Sequence, residues 1–185
     1  GGSIGDIYVN TLRTDEHGAI YVHPSDQVVV PQSDEFVKAG NSAPKYNLGW
    51  GNTFTYKGIS LGCLFTARVG GIVVSQTQAT MDAFGASKAT ADARDNGGAL
   101  VNGRPIDAEA YYTTIGGSGS QGGIGSMYVY SATNVRLAEL SLGYDIPINK
   151  YVNWIKGLNV SFIGKNLFFL YRKAPFDPEL TASTG

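Results

Sequence analysis

The sequence predicts an all-β fold: an antiparallel segment of a transmembrane β-barrel with long extracellular loops. Three observations predict it. Two eleven-residue segments alternate in antiphase about a two-residue turn. The connections along the chain run short, long, short. The composition is rich in aromatics and glycine and poor in charge. Of 185 residues, 25 are Gly, 11 Tyr and 8 Phe, and charged residues make up only 16%, against roughly 25% in soluble domains.

The alternation is clearest between Tyr46 and Val69. Even positions Tyr46, Leu48, Trp50, Asn52, Phe54 and Tyr56 are mostly large and apolar, while Asn47, Gly49, Gly51, Thr53 and Thr55 are small or polar. Lys57-Gly58 makes the turn, and the apolar set then moves to Ile59, Leu61, Cys63, Phe65, Ala67 and Val69, with Leu64 the exception on the polar side. Side chains alternate across a strand, so each segment has one apolar and one polar face, and the tight turn makes an antiparallel hairpin. Eleven residues at about 3.3 Å each, tilted about 40°, cross the hydrocarbon layer of a bilayer. Tyr46, Trp50 and Tyr56 lie toward the ends, where a membrane barrel carries its aromatic girdles.

Residues 1–45 precede the hairpin and read as extracellular loop and strand ends. They are turn-rich and polar, with strand-like pieces at Asp6–Leu12, 19–22 and 27–30. Residues 46–70 are the hairpin. Residues 71–134 are a long extracellular loop: 77–94 reads as one helix, built on Ala79, Ala83, Ala86 and Ala91 and stopped at Gly97, and the remainder is glycine-rich. Residues 135–171 form a second strand pair. In it Ala138, Leu140, Leu142, Tyr144 and Ile146 alternate with Glu139, Ser141, Gly143 and Asp145, and Leu137 departs from the pattern. After a short connection at 147–157, Leu158, Val160 and Phe162 oppose Asn159 and Ser161; the alternation is lost at 167–171, which reads as the rim. Residues 172–185 are the last extracellular loop. The short turns would face the periplasm.

On this reading Leu48, Trp50, Phe54, Leu61, Phe65, Leu140 and Leu142 face membrane lipid. Arg68, Glu139, Asp145 and Lys165 lie on the opposite face and line the lumen, because Arg or Lys facing lipid costs about 2–4 kcal/mol near mid-bilayer. Glu139 and Arg68 are candidates to bond across strands or to a plug. Four long strands are too few to close a membrane barrel, which starts at eight, and open edges in lipid are costly. The rest of the wall is expected from a longer parent chain, a partner fragment or other copies.

Other features bound the function. Net charge is −1, so a nucleic-acid partner is not expected. Cys63 alone makes no internal disulfide and reads as a small hydrophobe. The chain has no run of 18 apolar residues and opens on no secretory signal. Gly117-Ser118-Gly119-Ser120-Gln121-Gly122 fits G-x-G-x-x-G but lacks the strand-before, helix-after setting of a dinucleotide site, so it reads as a loop. His17 and His23 have no convergent ligands and read as surface residues. Asp82, Asp92, Arg94 and Asp95 offer paired carboxylates, but a solvated helix face is the better reading. Tyr111, Tyr112, Tyr128 and Tyr130 either stack on sugar rings or pack the loop, with packing favoured. No Ser/His/Asp or Cys/His nucleophile set is visible, and no catalytic residue, cofactor or metal is expected.

Four phrases carry a resemblance: Ala43-Pro44-Lys45-Tyr46-Asn47-Leu48-Gly49-Trp50-Gly51-Asn52; Phe54-Thr55-Tyr56-Lys57-Gly58; Asn134-Val135-Arg136-Leu137-Ala138-Glu139-Leu140-Ser141-Leu142-Gly143-Tyr144; and Gly164-Lys165-Asn166-Leu167-Phe168-Phe169-Leu170. In this order they resemble the C-terminal barrel strands of SusC/RagA-type TonB-dependent transporters of Bacteroidetes outer membranes, and Pro175-Phe176-Asp177-Pro178-Glu179 resembles that family's last external loop. The resemblance implies a place in a 22-stranded outer-membrane barrel with a plug, a SusD-like surface lipoprotein as lid, the TonB complex as motor, and oligosaccharide or peptide cargo. It implies a non-enzymatic importer. The chain departs from the family pattern in lacking the plug with its TonB-contacting segment, and a final strand. It also has Arg13-Thr14-Asp15-Glu16-His17-Gly18 where many members carry an acidic loop of calcium-binding appearance; Arg and His replace oxygen ligands there. The rival reading is a soluble, secreted all-β carbohydrate-binding module, which predicts strands of five or six residues.

Overall fold

The computed structural model describes residues 2–117, 123–148 and 157–178. Its strands and helices, in chain order, are β1 (Asp6–Leu12), β2 (Pro31–Asn41), β3 (Tyr46–Tyr56), β4 (Ile59–Val69), β5 (Ile72–Val74), α1 (Gln76–Ala83), α2 (Lys88–Asp95), β6 (Ala99–Val101), β7 (Arg104–Ile106), α3 (Ala108–Gly116), β8 (Val129–Ser131), β9 (Asn134–Ile146) and β10 (Leu158–Arg172). The chain divides into two compact units, one of residues 1–42 with 72–130 and one of 43–71 with 131–185. None of the described helices is long and apolar enough to cross a membrane.

The second unit is a four-stranded antiparallel sheet in the order β10-β9-β4-β3. The β3–β4 hairpin runs in unbroken register from Tyr46↔Val69 to Tyr56↔Ile59. Its turn uses Lys57 at φ 47° and Gly58 at φ 82°, the left-handed pair that a tight hairpin connection requires. Strand β4 pairs β9, and β9 pairs β10. β3 and β10 have 11 and 15 residues and are the outer strands among the described residues.

Two irregularities explain where the sequence pattern broke. Leu64 pairs Glu139 but Phe65 pairs Leu137, so Ala138 is the extra residue of a β-bulge. A bulge shifts the phase by one position. Leu137 and Val135 therefore join the apolar face, and Arg136 and Asn134 the polar one. In β10, Lys165 pairs Glu139 while Phe168 pairs Leu137, and a second shift follows between Phe169 and Tyr171. The lost alternation at 167–171 is thus a doubly re-phased stretch of strand, and β10 ends at Arg172, one residue past the expected bound.

The first unit is more ordered than a polar, glycine-rich loop suggests. Leu12, Val29, Ala79, Ala99, Val101, Ile106, Ile115, Ile124 and Tyr128 form its core. The helix expected over 77–94 is two helices. Gly85 takes φ 67°, its N–H donates to Asp82 O at 3.0 Å, and the Ala86 N–H donates to Met81 O at 2.8 Å; this pair of bonds closes a helix end. Ser87 then caps α2 by accepting from Thr90 N, as Ser75 caps α1 and Asp107 caps α3. The stop at Gly97 is present: it takes φ 81° after α2 and repeats the same closure, with Gly98 N donating to Ala93 O at 2.8 Å.

Strand β2 has no counterpart in the sequence reading. Its Phe36 and Val37 are adjacent rather than alternating, and its pairing with β1 is twice irregular. The pieces at 19–22 and 27–30 contribute isolated bridges, Thr14↔Ile20 and Val22↔Val29. Asn102, at φ 49° in the β6–β7 turn, grips this segment. Its Oδ1 accepts from Ile20 N at 3.2 Å and its Nδ2 donates to Ile20 O at 2.7 Å.

Candidate functional site

The four-stranded sheet has two chemically opposite faces. Cross-strand pairing puts Leu48 beside Ala67, Trp50 beside Phe65 and Phe54 beside Leu61. It then puts Leu61 beside Leu142, Cys63 beside Leu140 and Phe65 beside Leu137. On β10, Val160, Phe162 and Phe168 extend the same rows next to Tyr144, Leu142 and Leu137. All seven residues expected to face lipid share this face. Trp50 and Phe65 stack with ring centroids 5.5 Å apart. Tyr56 and Tyr144 mark the turn end, and Tyr46 and Tyr171 lie toward the other.

This face is not a core. Leu48 is 60% exposed, Phe54 56%, Leu61 40%, Leu140 38% and Leu142 47%; Phe65 and Cys63 are half-buried. A contiguous apolar surface of this kind is a contact surface for lipid or another apolar partner.

Every charged residue of the four strands lies on the other face. Register places Arg68, Glu139, Asp145 and Lys165 there, together with Arg136 and Arg172. Between them the surface is small and hydroxylic: Gly49, Gly51, Thr53, Ser60, Gly62, Ser141, Gly143 and Ser161. Leu64 stays on this side and lies over Gly51, where a Cβ would sit 3.5 Å from its Cδ1. Arg68 and Glu139 are not brought together. Arg68 pairs Asn47 and Asn134, and Glu139 pairs Leu64 and Lys165, four residues or about 13 Å away along β4. Asp145 accepts from Asn159 Nδ2.

Arg136 escaped the sequence reading. Its Nη1 donates to Asn166 Oδ1 at 3.0 Å and its Nη2 lies 3.9 Å from Asp177. The Phe169 ring meets both Arg136 and Arg172, with guanidinium carbons 5.0 and 5.6 Å from its centroid. An unshifted alternation puts Arg136 on the apolar face; only the bulge at Ala138 moves it. The Leu137 anomaly was the signal that could have found it.

In the first unit, Tyr128 is 3% exposed, and its hydroxyl donates to Asp82 Oδ2 at 2.9 Å. Gln78 Nε2 donates to Asp82 Oδ1 at 3.1 Å. Burial, and then this hydrogen bond, push the Tyr128 phenol far above its usual range. Tyr111, Tyr112 and Tyr130 pack against the same core, so these four tyrosines fix the unit. Asp92 pairs with Lys88, one turn away on α2. His23 Nδ1 lies 3.0 Å from Ser25 Oγ and 3.6 Å from Asp26. Asp15 closes its own turn, accepting from His17 N and Ala19 N at 2.9 Å each. The G-x-G-x-x-G phrase beyond Gly117, the 149–156 part of the short connection, and the chain after Pro178 lie outside the described residues.

Long antiparallel strands with one apolar, aromatic-edged face and one charged face define the class: a fragment of two-faced antiparallel β-sheet. No family model matches the chain. TonB-dependent receptor P3 of Formosa agariphila is 29% identical over 119 residues, covering 58% of this chain and 10% of that protein. Among solved structures, the RagAB peptide importer in its open-open state superposes with a TM-score of 0.61 at 19% identity, over 95% of this chain and 21% of that one. The closed-closed state gives 0.54 at 20% identity, over 93% and 20%. The chain therefore resembles the SusC/RagA-type TonB-dependent transporters in both sequence and fold, and it spans a tenth to a fifth of the length of these relatives.

Proposed function

We propose that this chain is barrel wall from the C-terminal portion of an outer-membrane, TonB-dependent importer, and that the part it plays is not enzymatic. The observation that carries the reading is the separation of faces: six charges on one side of four long strands, and only uncharged, mostly apolar side chains on the other. Leu48, Trp50, Phe54, Leu61, Phe65, Leu140 and Leu142 then meet lipid. Arg68, Glu139, Asp145 and Lys165 line the lumen with Arg136. Strands of 11 to 15 residues match a tilted crossing of the hydrocarbon layer. The outer strands β3 and β10 find partners in the rest of a closed, 22-stranded barrel, since unpaired backbone in lipid costs several kcal/mol per group.

The unit holding 1–42 and 72–130 is the extracellular part of this segment. A SusD-like lipoprotein would cap the barrel and meet these external loops, and the TonB complex would drive it through a region outside this chain. The cargo class is oligosaccharide or peptide. The resemblance to a TonB-dependent receptor and to a peptide importer supports this assignment.

The test is fractionation of the full-length parent protein. It is expected in the detergent-extracted outer membrane, with a band that shifts on heating before electrophoresis. A freely soluble protein with no heat shift overturns the reading in favour of a secreted module.

A further inference from the structure

A cavity of about 460 Å³ opens in the first unit between the end of α1, α2 and the start of α3. Its volume lies within the range of small-molecule sites. Its chemistry comes from Asp82, Phe84, Arg94, Asp107, Glu109 and Tyr112, and the bare backbone of Gly97 and Gly98 completes the wall.

The electrostatics are one-sided. Three carboxylates and one guanidinium line it, so its wall is net negative even with the Arg94 charge counted; Arg94 Nη1 donates to Gly85 O at 3.1 Å, across the α1–α2 turn. Asp82 is held by Tyr128 and Gln78, and Asp107 Oδ2 accepts from Ala110 N at 2.8 Å. These bonds fix two negative charges in place, while Glu109 is exposed on the first turn of α3. The phenol of Tyr112, which lines the cavity, is pushed up by burial and then by the Asp82 charge.

Phe84 adds the second ingredient. It is 83% exposed at the end of α1, an aromatic face left in solvent beside fixed negative charge. A cation over an aromatic ring gains from the ring quadrupole and from nearby carboxylates together.

We propose that this cavity binds an organic cation, a guanidinium or ammonium group of amino-acid side-chain size, between Phe84 and the carboxylates of Asp107 and Glu109. The inference rests on the geometry of this unit and not on the membrane reading, so either stands if the other fails.

Calorimetric titration of the detergent-solubilised full-length protein tests it. The probes are N-acetyl-arginine amide for a peptide-borne cation, methylguanidine for a free one, and N-acetyl-citrulline amide as the neutral isostere. At least one cationic probe is expected to bind about tenfold more tightly than the citrulline amide; which one does so tells a peptide side chain from a free amine. Glu109→Gln and Phe84→Ala alter exposed side chains and should each weaken that probe about fivefold to tenfold without shifting the thermal midpoint. Equal binding of the neutral isostere, no binding of either cation, or wild-type affinity in both variants overturns the proposal.

Discussion

Arg136 donates a 3.0 Å hydrogen bond to the side chain of Asn166, a residue held at φ 51° at the irregularity of β10. The two residues meet because the bulge at Ala138 turns Arg136 to the polar face and Asn166 lies at the irregularity of β10. Asn tolerates the left-handed region, and a β-branched residue does not.

Asn166→Val should therefore be costlier than Asn166→Gly. Glycine keeps the backbone and loses only the side-chain bond, worth about 1.5–3 kcal/mol when a charged group takes part; valine loses the bond and adds about 1–3 kcal/mol of backbone strain. Urea titration of the refolded full-length protein, followed by circular dichroism, should rank wild type above Gly above Val. A valine variant as stable as the glycine variant would contradict this geometry.

The separation of faces predicts an asymmetric response to inserted charge. Leu140→Arg places a guanidinium near the middle of the apolar face and should cost about 2–4 kcal/mol in a bilayer. Thr53→Arg, exposed on the polar face, should change stability by no more than about 0.5 kcal/mol. Reversible folding into phospholipid vesicles measures both, and equal costs would mean that the apolar face does not meet lipid.

The Asp82 anchor predicts the behaviour of the first unit. Tyr128→Phe removes a hydroxyl donor from a carboxylate only 6% exposed and should destabilise the unit by about 1–3 kcal/mol. Asn102→Asp should also weaken it, because the Nδ2 donor to Ile20 O becomes an acceptor. Hydrogen exchange of the amides of α1 and of residues 20–29 reads the two effects separately.

Low pH should act on the β1–β2 pair through Asp6. Hydrogen bonds from Lys38 (2.8 Å), the Ser3 N–H (2.6 Å) and Asn41 (3.0 Å) hold its carboxyl at about 2, below the ordinary 3.8. Because the folded value is the lower one, the stabilisation is fully present above about pH 4 and fades as pH falls toward 2. Amide protection across β1–β2 should drop in that window. In Asp6→Asn it should be lower at neutral pH and flat below it.

The hairpin, the length of its strands and the chemistry of both its faces were legible in the sequence. Period-two alternation is a local property of extended backbone, so Leu48, Phe54, Leu61 and Leu142 reveal their shared side without coordinates. The stop at Gly97 was legible for the same local reason, a left-handed helix closure. The break at Gly85 was missed because alanines on both sides favour helix, and the closing bonds between Gly85–Ala86 and α1 outweigh that preference. Strand β2 was missed because its pairing, not its own pattern, makes it a strand.

Tertiary structure alone decided the rest. A bulge exists only against a partner strand, so the phase shifts at Ala138 and Asn166, and with them the positions of Leu137, Arg136 and Phe169, are properties of pairing rather than of sequence. The cavity between α1, α2 and α3 arises in the same way, because three short capped helices enclose space only once the Ile106, Ile115 and Tyr128 core has fixed where they lie. The sequence by itself determined which residues share a face; contacts between segments distant along the chain determined what those faces enclose.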